Sequence, residues 1–168
     1  MLIAPPTVLI NLFEPWNKFY SDSKLSETLL MFVHTAGLVV AGGIAIATDR
    51  ATLRAAAWTD VDRRHHLAEM TVLHRTVIAG LAFTILSGLA MFTADIETFW
   101  ASWIFWVKMI TIALLLANGA LMGRVEERLH QDSSADSANW GRLRTRAIVS
   151  LTLWLTVALG GVALQNYA

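Results

Sequence analysis

Four ionisable side chains, His34, His74, Arg75 and Lys108, lie inside long apolar runs of the chain. At membrane depth such a group costs a few kcal/mol or more unless it is paired, reaches the interface or serves a function. These positions are therefore where chemistry is sought first. An imidazole can ligate haem iron, and a cationic side chain can hold a carboxylate such as a haem propionate. His34, His74, Lys108 and Arg75 form the candidate cofactor-binding set, with His34 and His74 as candidate ligands to the iron of haem b.

The residues following His34 on its helical face are Gly37, Ala41, Ala45 and Thr48, because side chains three or four apart share a face. One reading is that this strip of small residues leaves room for a flat cofactor beside His34, which makes it the first-choice axial ligand. The other is that the strip lets two helices approach closely in small-xxx-small fashion. His74 is followed by Val77 or Ile78, Leu81, Ile85 and Gly88. Its neighbour Arg75 could meet a propionate or an anionic headgroup, or both could snorkel to the interface.

Counted at 1.5 Å per residue, His34 and Lys108 lie about 13 and 11 Å below the outer ends of their runs, and so share a layer. His74 and Asn118 lie about 10 and 8 Å from the inner ends. A single haem held by both histidines would therefore bridge a depth difference of about 7 to 10 Å. Lys108 could pair with a carboxylate, act as a base after losing its proton, or snorkel. His66, Met70 and His74 fall at i, i+4 and i+8, with Met31 three residues before His34. Imidazole and thioether ligands of that kind suit Cu(I). His65 and Glu69 read as a solvated pair, and His130 as a surface residue.

The elements that must position these groups follow from composition. Of 168 residues, 55% are hydrophobic and only 15% charged, where a soluble domain carries about 25% charged residues. Four apolar runs, at about 25–48, 67–93, 101–123 and 147–162, approach or exceed the roughly 20 residues that cross a bilayer. Because all three prolines precede them, the runs predict an all-α, up-down four-helix transmembrane bundle spanning 25–168. Residues 1–24 mix aromatic with polar side chains and predict a segment lying on the outer interface. Asp22 or Ser23 is expected to cap the first long helix and Asp60 the second, while 131–139 (QDSSADSAN) predicts a mobile loop.

Arg50, Arg54, Arg63, Arg64, Arg124, Arg128, Arg142, Arg144 and Arg146 lie in two of the connections, against Lys18 and Lys24 on the opposite side. This asymmetry predicts both termini outside the cytoplasm. The formal net charge of zero gives no electrostatic case for nucleic-acid binding. The absence of cysteine excludes disulfides, thiolate metal sites and cysteine nucleophiles.

A resemblance follows from several short motifs: His34-Thr35-Ala36-Gly37-Leu38, the basic exit Asp49-Arg50, Ser87-Gly88, and the aromatic-led Phe105-Trp106-Val107-Lys108-Met109. Over roughly residues 29–124 the chain resembles a broad group of bacterial inner-membrane four-helix proteins. The group includes the copper-resistance D membrane domain and the membrane-embedded protoporphyrinogen oxidases that bind haem b. The resemblance implies a bacterial inner-membrane location and a porphyrin or haem site built from a first-span histidine and a later lysine, here His34 and Lys108. The expected function is haem-b binding in electron transfer or porphyrin chemistry, with no catalytic residue assigned. The alternatives are a non-catalytic accessory subunit that docks partner subunits in a larger membrane complex, and a copper-handling protein.

Overall fold

The computed structural model describes residues 4–55, 58–131 and 137–167, and among them it contains helices and no strand. The order is α1 (Thr7–Asp22), α2 (Lys24–Arg54), α3 (Asp60–Ala94), α4 (Ile96–Ala101), α5 (Trp103–Gln131) and α6 (Ser137–Tyr167). Helices α2, α3, α5 and α6 are long and apolar enough to cross a membrane. The chain is a multi-pass membrane protein whose outer surface contacts lipid. Exposed Phe32, Val39, Val72, Phe83, Leu114 and Leu155 form part of that surface.

Local chemistry explains where the helices begin. Ser23 caps α2 by accepting from the Ser26 amide at 3.3 Å, with Glu27 in the first turn, where the helix dipole favours a negative charge. Thr59 occupies the cap of α3 and accepts from the Asp62 amide, which places Asp60 within the helix instead of at its cap. Asp95 ends α3 and starts α4, where its side chain accepts from the Thr98 amide. The segment expected to be a mobile loop lies outside the described residues at 132–136, and α6 has already begun at Ser137.

The long helices exceed a bilayer's hydrocarbon thickness. The 35 residues of α3 span about 52 Å, against about 30 Å of hydrocarbon. The excess lies mostly at the end joined by the α2–α3 and α5–α6 connections, here called the connection end. The helices continue there past the apolar runs at 49–54, 60–66, 124–131 and 137–146.

Packing joins α3 to α2, α2 to α6 and α6 to α5. The α2–α3 crossing is the tightest. A β-carbon added to Gly37 would lie 2.6 Å from Thr84 Oγ1 and 2.8 Å from the Gly80 carbonyl oxygen. The first half of the small-residue strip after His34, Gly37 and the fully buried Ala41, is thus occupied by helix packing. Gly42 in turn makes room for the Trp154 ring of α6, which a β-carbon there would approach to 3.2 Å.

Helices α3 and α5 complete the ring differently. At the connection end, Leu67 and Met70 of α3 share a core with Met122 and Val125 of α5 and with Leu143 of α6. Further along, a gap lined by both helices lies between them. At the opposite end, α1 is fastened across α3: Trp16 Nε1 donates to the Ala90 carbonyl at 2.9 Å, and Asn17 Nδ2 donates to that of Ala94. The bond to Ala94 satisfies a carbonyl at the last residue of α3, where no intrahelical donor follows, whereas the Ala90 carbonyl also accepts from the Thr93 hydroxyl.

Candidate functional site

The gap between α3 and α5 is a cavity of about 430 Å³, within the range of roughly 300–1,000 Å³ typical of small-molecule sites. Leu73, Val77, Ile78 and Leu81 of α3 form one wall, and Leu115, Leu116, Gly119, Ala120 and Gly123 of α5 the other. Ala45, Thr48 and Asp49 of α2, with Ser150 and Trp154 of α6, form its floor. Its rim includes Ile78 and Leu116, 62% and 43% exposed, so the cavity opens sideways onto the lipid-facing surface. Open space lies beside Gly119 and Gly123, where a β-carbon would meet nothing within 4 Å.

Polar groups gather at the connection end of this cavity. His74 lines it and donates through Nδ1 to Glu126 Oε2 at 3.1 Å, which joins α3 to α5. Glu126 is buried, and its Oε1 has no hydrogen-bond partner. Asp49 is buried on α2 and accepts from the Ser150 hydroxyl of α6, while its Oδ2 has no partner. His74 and Glu126 are near enough to act electrostatically on Asp49. All four spanning helices therefore contribute to one polar cluster.

With its Nδ1 proton committed to Glu126, neutral His74 offers an Nε2 lone pair, and the imidazolium offers an Nε2–H donor. The orphaned carboxylate oxygens are acceptors, and leaving a buried acceptor unpaired costs about 1–3 kcal/mol. The cluster can thus donate to a carbonyl, accept from a hydroxyl, and exchange a proton. Among the described residues, no group of three His, Asp or Glu side chains is arranged to hold a metal ion.

The other sequence-derived residues lie elsewhere. His34 is on the α2–α3 face, with Nδ1 3.1 Å from Ser87 Oγ. Because that hydroxyl donates to the Phe83 carbonyl at 2.6 Å, His34 is the donor in the pair. A β-carbon on Gly88 would lie 3.0 Å from His34 Cε1. With Gly37 packed on Gly80 as well, no slot for a porphyrin opens on this face. His34 is level with Ser87, thirteen residues beyond His74 on α3, or about 20 Å along the axis. One haem held by both histidines does not fit that separation. The smaller separation follows only if each apolar run is fitted to about 30 Å of hydrocarbon, and the two runs that carry these histidines are longer than that.

Arg75 is exposed beside His74 and has no hydrogen-bond or ion-pair partner among the described residues. Lys108 lies on α5 near the opposite end, against Gly160 and Gly161 of α6, and its charge reaches His34. Asn118 donates to the Arg146 carbonyl at 3.0 Å. The His66–Met70–His74 stripe does not converge. His66 and Met70 both face Thr52, at 3.0 and 3.9 Å, whereas His74 turns to Glu126. His65 pairs with Glu69 at 3.1 Å on the exposed face.

Asp49 and Glu126 were absent from the sequence-derived set because they follow the apolar runs and read as extramembrane. The available signal was helical phase: Asp49 continues the Ala41–Ala45 stripe, and Glu126 continues Asn118–Met122. The chain matches no protein-family model, no curated protein and no solved structure.

Proposed function

We propose that this protein binds a lipid-soluble molecule with a polar, proton-exchanging head group in the cavity between α3 and α5. The carrying observation is a lipid-open apolar cavity that ends at the His74–Glu126 pair and Asp49. The head group would meet His74 Nε2 and the orphaned Asp49 carboxylate, and the apolar body would lie along Leu81, Leu115 and Leu116. Isoprenoid quinones suit this arrangement: a quinone carbonyl accepts from the imidazolium, and a quinol hydroxyl donates to the neutral ring or to a carboxylate. The reading makes the chain a ligand-binding membrane protein and is compatible with an accessory role in a larger complex.

A second reading, haem-b binding in electron transfer or porphyrin chemistry, is favoured by one feature of the same site. Ligating histidines commonly donate their other ring N–H to a carboxylate, which fixes the tautomer, and Glu126 stands in that relation to His74. His74, and not His34, would then be the axial ligand. Haem would supply one-electron chemistry there.

The nine arginines at or near the connection end support a bacterial inner-membrane orientation with that end cytoplasmic and both termini outside. A single cysteine introduced at position 135 should resist an impermeant maleimide in intact cells. Labelling there would reverse the orientation.

One preparation tests the ligand readings. The protein is purified in mild detergent, its visible spectrum is recorded, and its extracted lipids are quantified for quinone. Quinone retained in near-stoichiometric amount and lost in His74→Ala supports the first reading. A Soret band lost in His74→Ala but kept in His34→Ala supports the second. A colourless, quinone-free wild type from membranes rich in both overturns both.

A further inference from the structure

A second site lies toward the opposite end of the bundle, on the far side of α5. Between α5 and α6 is a cavity of about 390 Å³ walled by Ile104, Val107, Leu159 and Ala163, with Trp103 at its rim. Lys108 lines it, five residues into α5 and so about 8 Å inward from the helix start. The lysine stem lies against Gly160, at 3.7 and 3.8 Å from the position of a β-carbon there, and Nζ lies 3.8 Å from that of Gly161. The glycine pair leaves the ammonium space that side chains would otherwise fill.

This ammonium has no hydrogen-bond acceptor among the described residues, and no described carboxylate is near enough to act on it. Of the lining hydroxyls, those of Thr111 and Thr156 are committed to backbone carbonyls, and that of Tyr167 lies at the exposed edge of the cavity. Thr111 donates to the Val107 carbonyl at 2.8 Å and Thr156 to that of Thr152 at 2.8 Å. Lys108 is the basic side chain that lines this apolar-walled cavity, about 8 Å inward from the start of α5. When protonated, an amine so placed is stabilised by a counter-ion.

We infer that the α5–α6 cavity binds a long-chain carboxylate of the fatty-acid class, with the carboxylate on Lys108 Nζ and the chain along the apolar walls. Depth decides between lipid anions. A fatty-acid carboxylate is attached directly to its chain and can follow it inward. A phospholipid phosphate is held at the interface by its glycerol ester and would have to sink about 8 Å into hydrocarbon. The site is independent of the α3–α5 cavity and of what that cavity holds.

Trp103 supplies the optical probe, and the test uses the full-length protein in zwitterionic nanodiscs. Quenching is measured with dibromostearic acid at a pH where the acid is ionised, with its methyl ester, and with a brominated phosphatidylglycerol. The difference between wild type and Trp103→Phe isolates the response at the rim. The acid should quench this response at about tenfold lower mole fraction than the ester, the factor that about 1.4 kcal/mol carries. Lys108→Met should abolish that preference and Lys108→Arg should keep it, the latter also showing that the site tolerates substitution without unfolding. Equal quenching by acid and ester, or an unchanged preference in Lys108→Met, overturns the assignment. Preferential quenching by the phosphatidylglycerol also overturns it and identifies the site as one for phospholipid.

Discussion

His74 and Glu126 face each other across the gap between α3 and α5, with 3.1 Å between Nδ1 and Oε2. The pair stands between the side-chain core that α3 and α5 share at the connection end and the cavity that both helices line. Burial differs between the partners: the Glu126 side chain is 7% exposed and that of His74 31%. The carboxylate is thus held by the bundle, and the imidazole is the partner that reaches the cavity. The bond both closes the ring of helices and orients the ring nitrogen that a ligand would meet.

Replacing either partner by alanine should destabilise the bundle by about 1–3 kcal/mol, because the other is left unsatisfied in a low-dielectric setting. In a double-mutant cycle, His74→Ala with Glu126→Ala should show coupling of about 1 kcal/mol or more. Denaturant unfolding in mixed micelles gives the values. Strict additivity would show that the two side chains do not interact in the folded protein.

Gly37 and Gly43 lie on the same helix and should respond oppositely. Gly37→Ala places a β-carbon against the Thr84 hydroxyl and the Gly80 backbone, so α2 and α3 must move apart, at a cost of about 1–3 kcal/mol typical of overpacking. Gly43→Ala meets open space and should gain up to about 1 kcal/mol of helix propensity. Thermal unfolding of the two variants in the same detergent compares them. A Gly37→Ala protein as stable as wild type would mean that the close crossing is absent in the membrane.

The four-helix architecture was legible because lipid imposes a coarse rule. Each span must be about 20 residues long and largely apolar, and four runs satisfy it. The site was half legible. His74 stood out as an ionisable residue inside a run, but its partner Glu126 lies three residues beyond the end assigned to the third run, and Asp49 one residue beyond the first. Both become part of a core only because α2 and α5 continue past their apolar runs and pack there, which hydropathy does not report. The strip after His34 illustrates a different gap. Small residues read equally as space or as contact, and the answer depended on Gly80 and Thr84 of α3.

The fastening of α1 should depend on two side chains that donate to carbonyls near the end of α3. Trp16→Phe combined with Asn17→Ala removes the bonds to Ala90 and Ala94, worth about 0.5–1.5 kcal/mol each. Amide hydrogen exchange within Thr7–Asp22 should then accelerate by about tenfold, while exchange in α5 and α6 is unchanged. Unchanged exchange in α1 would show that its position is held by other contacts.

Filling the α3–α5 cavity should separate ligand binding from folding. Gly119 and Gly123 line the cavity, and a β-carbon at either touches nothing within 4 Å, so Gly119→Leu and Gly123→Leu place their side chains in the space assigned to the ligand's apolar body. Leucine is also the better helix former, by about 0.5–1 kcal/mol. Measured after bound lipids have been stripped, so that ligand stabilisation does not obscure the comparison, both variants should unfold at or above the wild-type temperature. Purified without stripping, they should retain several-fold less quinone, or less haem if His74 is an axial ligand, although every polar group of the cluster is intact. His74→Ala should lose the same ligand by the opposite route, with the cavity open and the polar contact gone. Leucine variants that are stable and retain a full complement of ligand would move the binding site away from this cavity. Strongly destabilised stripped variants would show that the gap between α3 and α5 closes in the membrane.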